Sequence, residues 1–134
     1  MREADISKAL GQYLMGMADA PPIYWENQNV PEGTARPYLS VQMVRVSRRN
    51  PDLSGGSAGT IARGYMQVTV VSDLDQFATS SEETADAIAA HFVKGTKLEE
   101  NGGKVTIMEA PSILPALRDG SDWRVPVQID YWAS

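Results

Sequence analysis

Cysteine is absent from the 134 residues of this chain, and histidine occurs once, at position 91. Without cysteine the chain cannot form a disulfide scaffold, a thiolate metal site or a cysteine nucleophile, and its redox compartment stays open. A single histidine cannot complete the nitrogen and sulfur ligand sets of a structural zinc site. We therefore expect no metal and no cofactor.

Long apolar runs and an excess of positive charge are also missing. No stretch approaches the roughly 20 apolar residues of a membrane-spanning helix, and Glu3 and Asp5 stand where a secretory signal would be basic. We expect a soluble protein with no membrane partner. The net charge of −5 argues against a dominant nucleic-acid-binding face, although a local basic patch is compatible with it.

The composition is typical of one globular domain. Hydrophobic residues make up 43% of the chain and charged residues 22%, which fits neither a disordered nor a fibrous protein. A chain of this length can bury about two thirds of its unfolded surface. The sequence has no internal repeat and no linker, so we interpret residues 1–134 as a single domain.

Two segments have the apolar spacing of amphipathic helices. The first spans about residues 3–18 and ends before a pair of prolines. The second, residues 80–95, begins with Ser80 and Glu83 at the spacing of a capping box. The apolar stripe that we expect this helix to bury comprises Ala85, Ile88, Ala89, Phe92 and Val93.

Five segments have the patterns of strands. They are one short aromatic segment and four longer ones, at 23–25, 38–46, 61–72, 104–109 and 122–132. The change of phase at Val44 and Val46 indicates a bulge late in the second strand. The last strand alternates over five steps from Trp123 to Tyr131. Pro126 removes one ladder donor from it, which places this strand at an edge or beside a bulge.

This order of elements predicts an α+β fold. Long strands joined by a hairpin loop favour antiparallel pairing, and each helix has one apolar stripe to bury. We expect a two-layer sandwich, with two amphipathic helices packed on one face of a mostly antiparallel sheet of four to five strands. Trp123 should then be largely buried against the helices.

The residues that could carry chemistry have simpler structural interpretations. His91 lacks a nucleophile and an orienting partner, and the SGGSAG stretch lacks the ending of a phosphate loop. Asp73 and Asp75 continue into no calcium-loop ligand set. The acidic pairs at 82–83 and 99–100 suit a helix start and a solvated loop. We predict that the protein has no catalytic residue and is not an enzyme.

The two long strands in the middle of the chain are separated by a segment rich in glycine and serine, residues 47–60. It is too long for a tight turn and too polar to pack, so we predict a projecting, mobile loop. Arg48, Arg49 and Asp52 are candidate contacts with a partner or a neighbouring subunit. Two arginines are a weak signal, and contact with DNA or plain solvation stays open.

Five stretches, PPIYWENQNVP, RPYLSVQMV, GYMQVTVV, AAHFVKGTKL and WRVPVQIDYW, occur in an order and spacing that resembles small tailed-phage and prophage proteins related to tail terminators. The resemblance spans nearly the whole chain. It implies a ring-forming minor tail protein, commonly hexameric, at the head-facing end of the tail tube in the virion. The ring would stop tube polymerisation and join the head. During assembly the protein would be in the host cytoplasm.

The resemblance also suggests partners and residue roles. The partners would be other copies of the chain, the tail tube protein and the head-completion protein, with incidental contact to DNA in the lumen. Trp25 and Asn27 belong to a segment that marks the fold, and Trp25 is a further candidate for partner contact. We take Trp123, Pro126 and Tyr131 as markers of the terminal strand.

Two other functional classes stay open. Another neck or connector protein of the same virion would share the structural role but form a ring of another size. A small-molecule-binding or enzymatic domain would need a concave pocket with converging polar groups, which the sequence does not suggest.

Overall fold

The structure, a computed structural model, describes residues 1–49, 61–74 and 78–134. In chain order the elements are α1 (Glu3–Met15), β1 (Ile23–Tyr24), β2 (Tyr38–Arg49), β3 (Ile61–Asp73), α2 (Ala78–His91), β4 (Lys97–Glu100), β5 (Gly103–Ile107), β6 (Ser112–Ile113), β7 (Leu117–Asp119) and β8 (Asp122–Ala133). The α+β class agrees with the prediction. The strand number does not, because the described residues form eight strands instead of four to five.

All eight strands belong to one mixed sheet. Its order is β1-β2-β3-β8-β5-β4, and β6 and β7 also pair with β8. β1 runs parallel to β2, and the other described pairs are antiparallel. Because β3 occupies one side of β8, the strands β5, β6 and β7 follow one another along its other side. The short strands that sequence periodicity missed thus act together as one interrupted partner of β8.

One face of the sheet carries the hydrophobic core. Val41, Val68 and Val127 form a row across β2, β3 and β8, and all three are buried. The helices add Ile6, Leu10, Leu14, Ala85 and Ile88 to the same core, and Phe92, directly after α2, joins them. Full burial of a valine, leucine, isoleucine or phenylalanine side chain stabilises the folded state by about 1.5–3 kcal/mol. Trp123 packs against this core from the predicted face of β8, but its indole is only partly buried.

β2 contains the predicted bulge. Its pairing with β3 shifts between Arg45 and Ser47, which leaves Val46 as the extra residue. The ladder then continues to Arg49, which pairs with Ile61. The prediction of a loop that begins at Ser47 is therefore wrong at its start, and the connection between the strands begins after Arg49. The rest of that segment lies outside the described residues.

α2 begins and ends at different residues from those that its sequence predicted. Ser80 is already helical, so the predicted capping box with Glu83 is wrong, because a capping residue precedes the first turn. The Ser80 carbonyl accepts a hydrogen bond from Thr84 Oγ1 at 3.2 Å. α2 ends at His91, and Val93, which we expected in the core, is 58% exposed. Among the described residues, neither helix is long and apolar enough to cross a membrane.

β8 is a central strand and not the edge strand that Pro126 predicted. The Pro126 carbonyl accepts a hydrogen bond from the Leu114 N–H at 2.9 Å, on the side of β6. The N–H and C=O of one strand residue point to the same side, so the missing proline donor faces the break between β6 and β7. Pro126 therefore removes no bond from the long β3–β8 ladder, which is the condition that proline in a sheet must meet.

The hairpin of β4 and β5 was predicted only in part. Asn101 and Gly102 form its two-residue loop, with φ values of 50° and 81°, as expected for an Asn-Gly turn of type I′. Glu99 and Glu100, which we interpreted as a solvated loop, lie in β4. Because both residues are charged, their segment did not have the sequence pattern of a strand. β4 lies at the edge of the sheet, where charged side chains discourage pairing with other chains.

Candidate interaction surfaces

The aromatic segment at β1 forms a hook at the edge of the sheet. Tyr24 lies edge-on against Tyr38, with 5.3 Å between ring centroids. Trp25 points the other way and packs against the core beside Gly11 of α1. The backbone N–H of Trp25 donates to the Gln28 side-chain oxygen at 3.0 Å, and the backbone N–H of Gln28 donates to the Trp25 carbonyl at 2.9 Å. Trp25 therefore has a packing role, and its contact with a partner stays a prediction.

The residues after Trp25 cover part of the open edge of β2. The Glu26 carboxylate accepts a hydrogen bond from the Met43 N–H at 3.1 Å, which satisfies a donor that β1 is too short to reach. Asn27 is exposed and lines a cleft of about 310 Å³ together with Trp25, Glu26 and Met43. The hook thus joins α1 to β2 and leaves a shallow opening between them.

The bulge end of β2 and β3 is rich in arginine. Residues 43–49 and 61–65 contain Arg45, Arg48, Arg49 and Arg63 and no acidic residue. Arg45 and Arg48 contact the Glu3 carboxylate at the start of α1, at 3.1 and 3.0 Å, and Arg48 also donates to the Met1 carbonyl. Arg48 is thus a strand residue that holds the N-terminus, and its predicted place in a loop is wrong.

Arg49 and Arg63 differ from the other two arginines. Both are exposed, and neither forms an ion pair with a described residue. Arg49 is the last residue of β2, so it too lies in a strand and not in a loop. Asp52, the third predicted contact of this segment, lies outside the described residues.

The opposite end of the long strands is an ion-pair cluster. Arg36 Nε donates to Asp122 at 2.6 Å and lies 3.8 Å from Asp73. Arg124 lies 3.2 Å from Asp119 and 3.5 Å from Asp122. Asp73, which we had considered as a cation ligand, therefore has an arginine beside it. The cluster ties the segment before β2 to the start of β8. The other aspartate of that pair, Asp75, lies outside the described residues.

Tyr131 is buried with its hydroxyl over Gly64. A Cβ atom on Gly64 would lie 2.8 Å from the Tyr131 hydroxyl and 2.4 Å from the Val44 carbonyl oxygen. Burial raises the pKa of the Tyr131 hydroxyl, and the nearby Glu3 carboxylate raises it further. The hydroxyl makes no hydrogen bond with a described residue. This arrangement places Tyr131 in the core and leaves room for no side chain at Gly64.

His91 joins the two helices. Its Nε2 lies 2.6 Å from the Tyr13 carbonyl, and the Tyr13 hydroxyl donates to the His91 carbonyl at 2.9 Å. The two rings stack with 4.2 Å between centroids. These contacts link the last turns of α1 and α2, where helix carbonyls need partners. His91 therefore has a structural role between the two helices.

The sheet face opposite the helices carries an exposed cleft of about 550 Å³. Val46 and Met108, 66% and 37% exposed, line it together with Arg63. Trp132, also 37% exposed, pairs with Arg63 across β3 and β8, and it alternates with the core residue Tyr131. We call Val46, Arg63, Met108 and Trp132 the outer patch. Sequence reasoning missed it, although the out-of-phase Val46 was a signal.

Nearly the whole chain also matches known proteins. A family model described as phage tail terminator protein matches residues 5–131. The chain belongs to this family. No curated protein sequence matches the chain. A solved structure aligns with 98% of this chain and 92% of its own, with a TM-score of 0.74. Because the two sequences are 23% identical, that likeness shows the fold alone.

Membership in the tail terminator family makes this chain a structural protein of the phage tail. The resemblance that the order of the five sequence stretches suggested is thereby confirmed. The family is one of structural tail proteins, which is not a class of enzyme. Within 1–49, 61–74 and 78–134, no three histidine, aspartate or glutamate residues are grouped so that they could hold a metal ion.

Proposed function

We propose that this protein terminates the tail tube. It assembles as a ring, commonly of six copies, on the head-proximal end of the tube, stops tube polymerisation and provides the surface that the head-completion protein binds. The observation that carries the proposal is the family match over residues 5–131. Its partners are further copies of the chain, the tail tube protein and the head-completion protein of the same phage or prophage.

The chemistry of the surface supports a ring. A ring needs heterologous contacts, in which one patch of a protomer meets a different patch of the next. The outer patch and the exposed side of α2 lie on opposite faces of the sheet, so they are two different patches, as a heterologous contact requires, and they also differ in charge. Arg49, at the end of the hairpin, is a candidate contact for DNA phosphates if this end faces the lumen.

Deletion of the gene from the phage or prophage that carries it tests the function. We expect tubes of uncontrolled length without heads, measured by electron microscopy, and we expect a plasmid copy of the wild-type gene to restore uniform tails. Tubes of normal length that lack heads would instead favour a neck or connector protein. Normal tails joined to heads would contradict both roles.

The oligomeric state of the purified protein tests the ring. We expect weak or no association in dilute solution and a closed ring at high concentration or on tubes, measured by mass over a concentration series. A stable twofold dimer that never forms a ring would contradict the proposal, because an isologous contact uses the same patch on both copies.

A further inference from the structure

We infer that neighbouring copies of this protein meet head to tail, with the acidic outer side of α2 from one copy bound on the outer patch of the next. The inference rests on the proposed ring and names the two surfaces that would close it. Glu82, Glu83 and Asp86 define the acidic side of α2.

The acidic side of α2 has no ionic partner in the described part of its own chain. All three carboxylates are exposed, whereas Ala85 and Ile88 of the same helix are buried, and none of the three forms an ion pair with a described residue. The helix dipole stabilises acids only in the first turn. Asp86 is the ninth residue of α2, so the dipole does not explain it. The exposed neighbours at 87 and 90 are alanines, which allow another surface to approach closely.

The outer patch has the complementary character. Arg63 is exposed, has no ion pair with a described residue, and lies between Ser47 and Trp132 in the sheet register. Arg49 follows on the same strand as Val46. Arginine and tryptophan are two of the residue types that carry much of the binding energy at interfaces. The patch therefore offers positive charge together with apolar surface.

The cleft has a basic side and an acidic side. This uneven charge limits the position at which α2 of the neighbouring copy can bind. Glu109 also lines the cleft, and it follows β5 on the side of β8 away from β3. Asp130 lies between them and accepts a hydrogen bond from the Gln128 amide at 3.0 Å. We place α2 of the neighbour on the Arg63 side, because like charges would oppose it near Glu109.

The positions of the two surfaces favour a head-to-tail contact. α2 packs on the core face of the sheet, whereas the outer patch is on the other face. Patches on opposite faces of one protomer cannot both contact the same twofold partner, so repeated use of the pair produces a ring or a filament. The small apolar area and the exposed charges predict a weak contact that added salt weakens further.

The absence of cysteine allows a direct test by disulfide cross-linking. We expect the double variant Arg63→Cys/Asp86→Cys to form a ladder of oligomers under mild oxidation at high protein concentration. A mixture of the two single variants should stop at a dimer that contains one copy of each. Either variant alone should form few dimers. Arg63→Cys/Glu99→Cys is the matched control, because Glu99 is an exposed acid on β4.

Charge reversal provides a second readout that does not depend on oxidation. We expect Arg63→Glu and Asp86→Arg each to weaken self-association by about tenfold or more, as for close charge pairs at interfaces. The combination Arg63→Glu/Asp86→Arg should recover most of the loss. Unchanged thermal unfolding of each variant shows that folding is intact.

The outcomes separate this inference from the proposed function. Absence of the cross-link between positions 63 and 86 at every concentration, or self-association that charge reversal leaves unchanged, overturns the inference. This includes a result in which Arg63→Cys cross-links to the tube protein instead. If gene deletion still gives tubes of uncontrolled length, the function stands without this contact. If the cross-link forms but the deletion phage still has normal tails, the contact between copies is supported and the proposed function is contradicted.

Discussion

Among the glycines of the described residues, Gly64 leaves the least room for a side chain. It lies on β3 beside the bulge of β2, between the Val44 carbonyl and the ring of Tyr131. A Cβ atom would meet that carbonyl oxygen at 2.4 Å, and a backbone atom cannot move away as a flexible side chain could. The bulge, the glycine and the buried tyrosine therefore depend on one another.

Gly64→Ala should destabilise the protein by about 1–3 kcal/mol, the usual range for an overpacked core, as measured by denaturant unfolding. Gly16→Ala is the matched control, because a Cβ atom there would lie 3.4 Å from the Tyr13 carbonyl oxygen, an ordinary contact, in a backbone with φ of −78°. Equal stability of the Gly64 variant and the wild type would show that the Val44 carbonyl does not approach β3 this closely.

Among single residues, Asp5 makes the stability of the fold depend on pH. The hydrogen bond from the Arg2 guanidinium lowers the pKa of the Asp5 carboxyl below its ordinary value of 3.8. Burial opposes this shift, and a hydrogen bond from the Asn101 amide adds to it. A carboxyl whose pKa is lower in the folded state stabilises the fold above its unfolded pKa. That stability is lost as the pH falls through the folded value.

Asp5→Asn should therefore lower the thermal midpoint near neutral pH, and the difference from wild type should shrink below about pH 4. Thermal unfolding over a pH series measures it. Asp86→Asn is the control, because Asp86 is exposed and forms no ion pair with a described residue. A difference that grows as the pH falls would show that the sign is wrong.

At the scale of the elements, Tyr13 and His91 connect the ends of the two helices. The Tyr13 hydroxyl bonds the His91 carbonyl, and its ring contacts both His91 and Phe92. Replacement of Tyr13 by phenylalanine removes the hydroxyl and keeps the ring contacts. The hydrogen bond and the stacking can therefore be measured separately.

Tyr13→Phe should reduce the free energy of unfolding by about 0.5–1.5 kcal/mol, the net value of one hydrogen bond, as measured by urea unfolding. Tyr24→Phe is the control, since its ring lies against Tyr38 and its hydroxyl bonds no described residue. Equal losses in the two variants would show that the hydrogen bond from the Tyr13 hydroxyl to the His91 carbonyl contributes nothing to stability.

The long elements could be predicted from sequence because their patterns continue beyond any single interruption, whereas the two-residue β1 was predicted from its aromatic residues. α1, β2, β3 and β8 each run for at least 12 residues, so a bulge or a proline does not hide them. β6 and β7 have two and three residues, which is too short for any alternation. β4 is obscured by its charges. Pro126 misled us because its missing donor faces a break that only the pairing of β8 reveals.

At the scale of the whole molecule, the family could be predicted from the order of segments, whereas the surfaces could not. The outer patch joins residues 46, 63, 108 and 132, and no local pattern connects positions so far apart in sequence. Arg48 was predicted as a loop residue that contacts a partner, but it lies in β2, and the partner contact stays a prediction. Its ion pair with Glu3 depends on the packing of α1 against β2, which periodicity cannot show.

The connection between β2 and β3 gives the prediction that concerns the assembled tail. The ladder reaches the pair Arg49 and Ile61, so deletion of Asp52 to Gly59 leaves residues 50, 51 and 60 between the strands. Three residues are a common hairpin length, and shortening a surface connection changes its closure entropy by only about 0.6 kcal/mol per halving. The shortened protein should therefore unfold at nearly the wild-type denaturant concentration.

The same deletion should abolish tail completion. The removed segment is rich in glycine and serine, a composition that suits contact with a tube, a neighbour or the lumen better than packing. In a phage that lacks the gene, the shortened protein should leave tubes of uncontrolled length or tails without heads, counted by electron microscopy. A wild-type plasmid in the same strain is the control. Uniform tails with attached heads would mean that residues 52–59 only connect the two strands, and that Asp52 makes no contact that the tail requires.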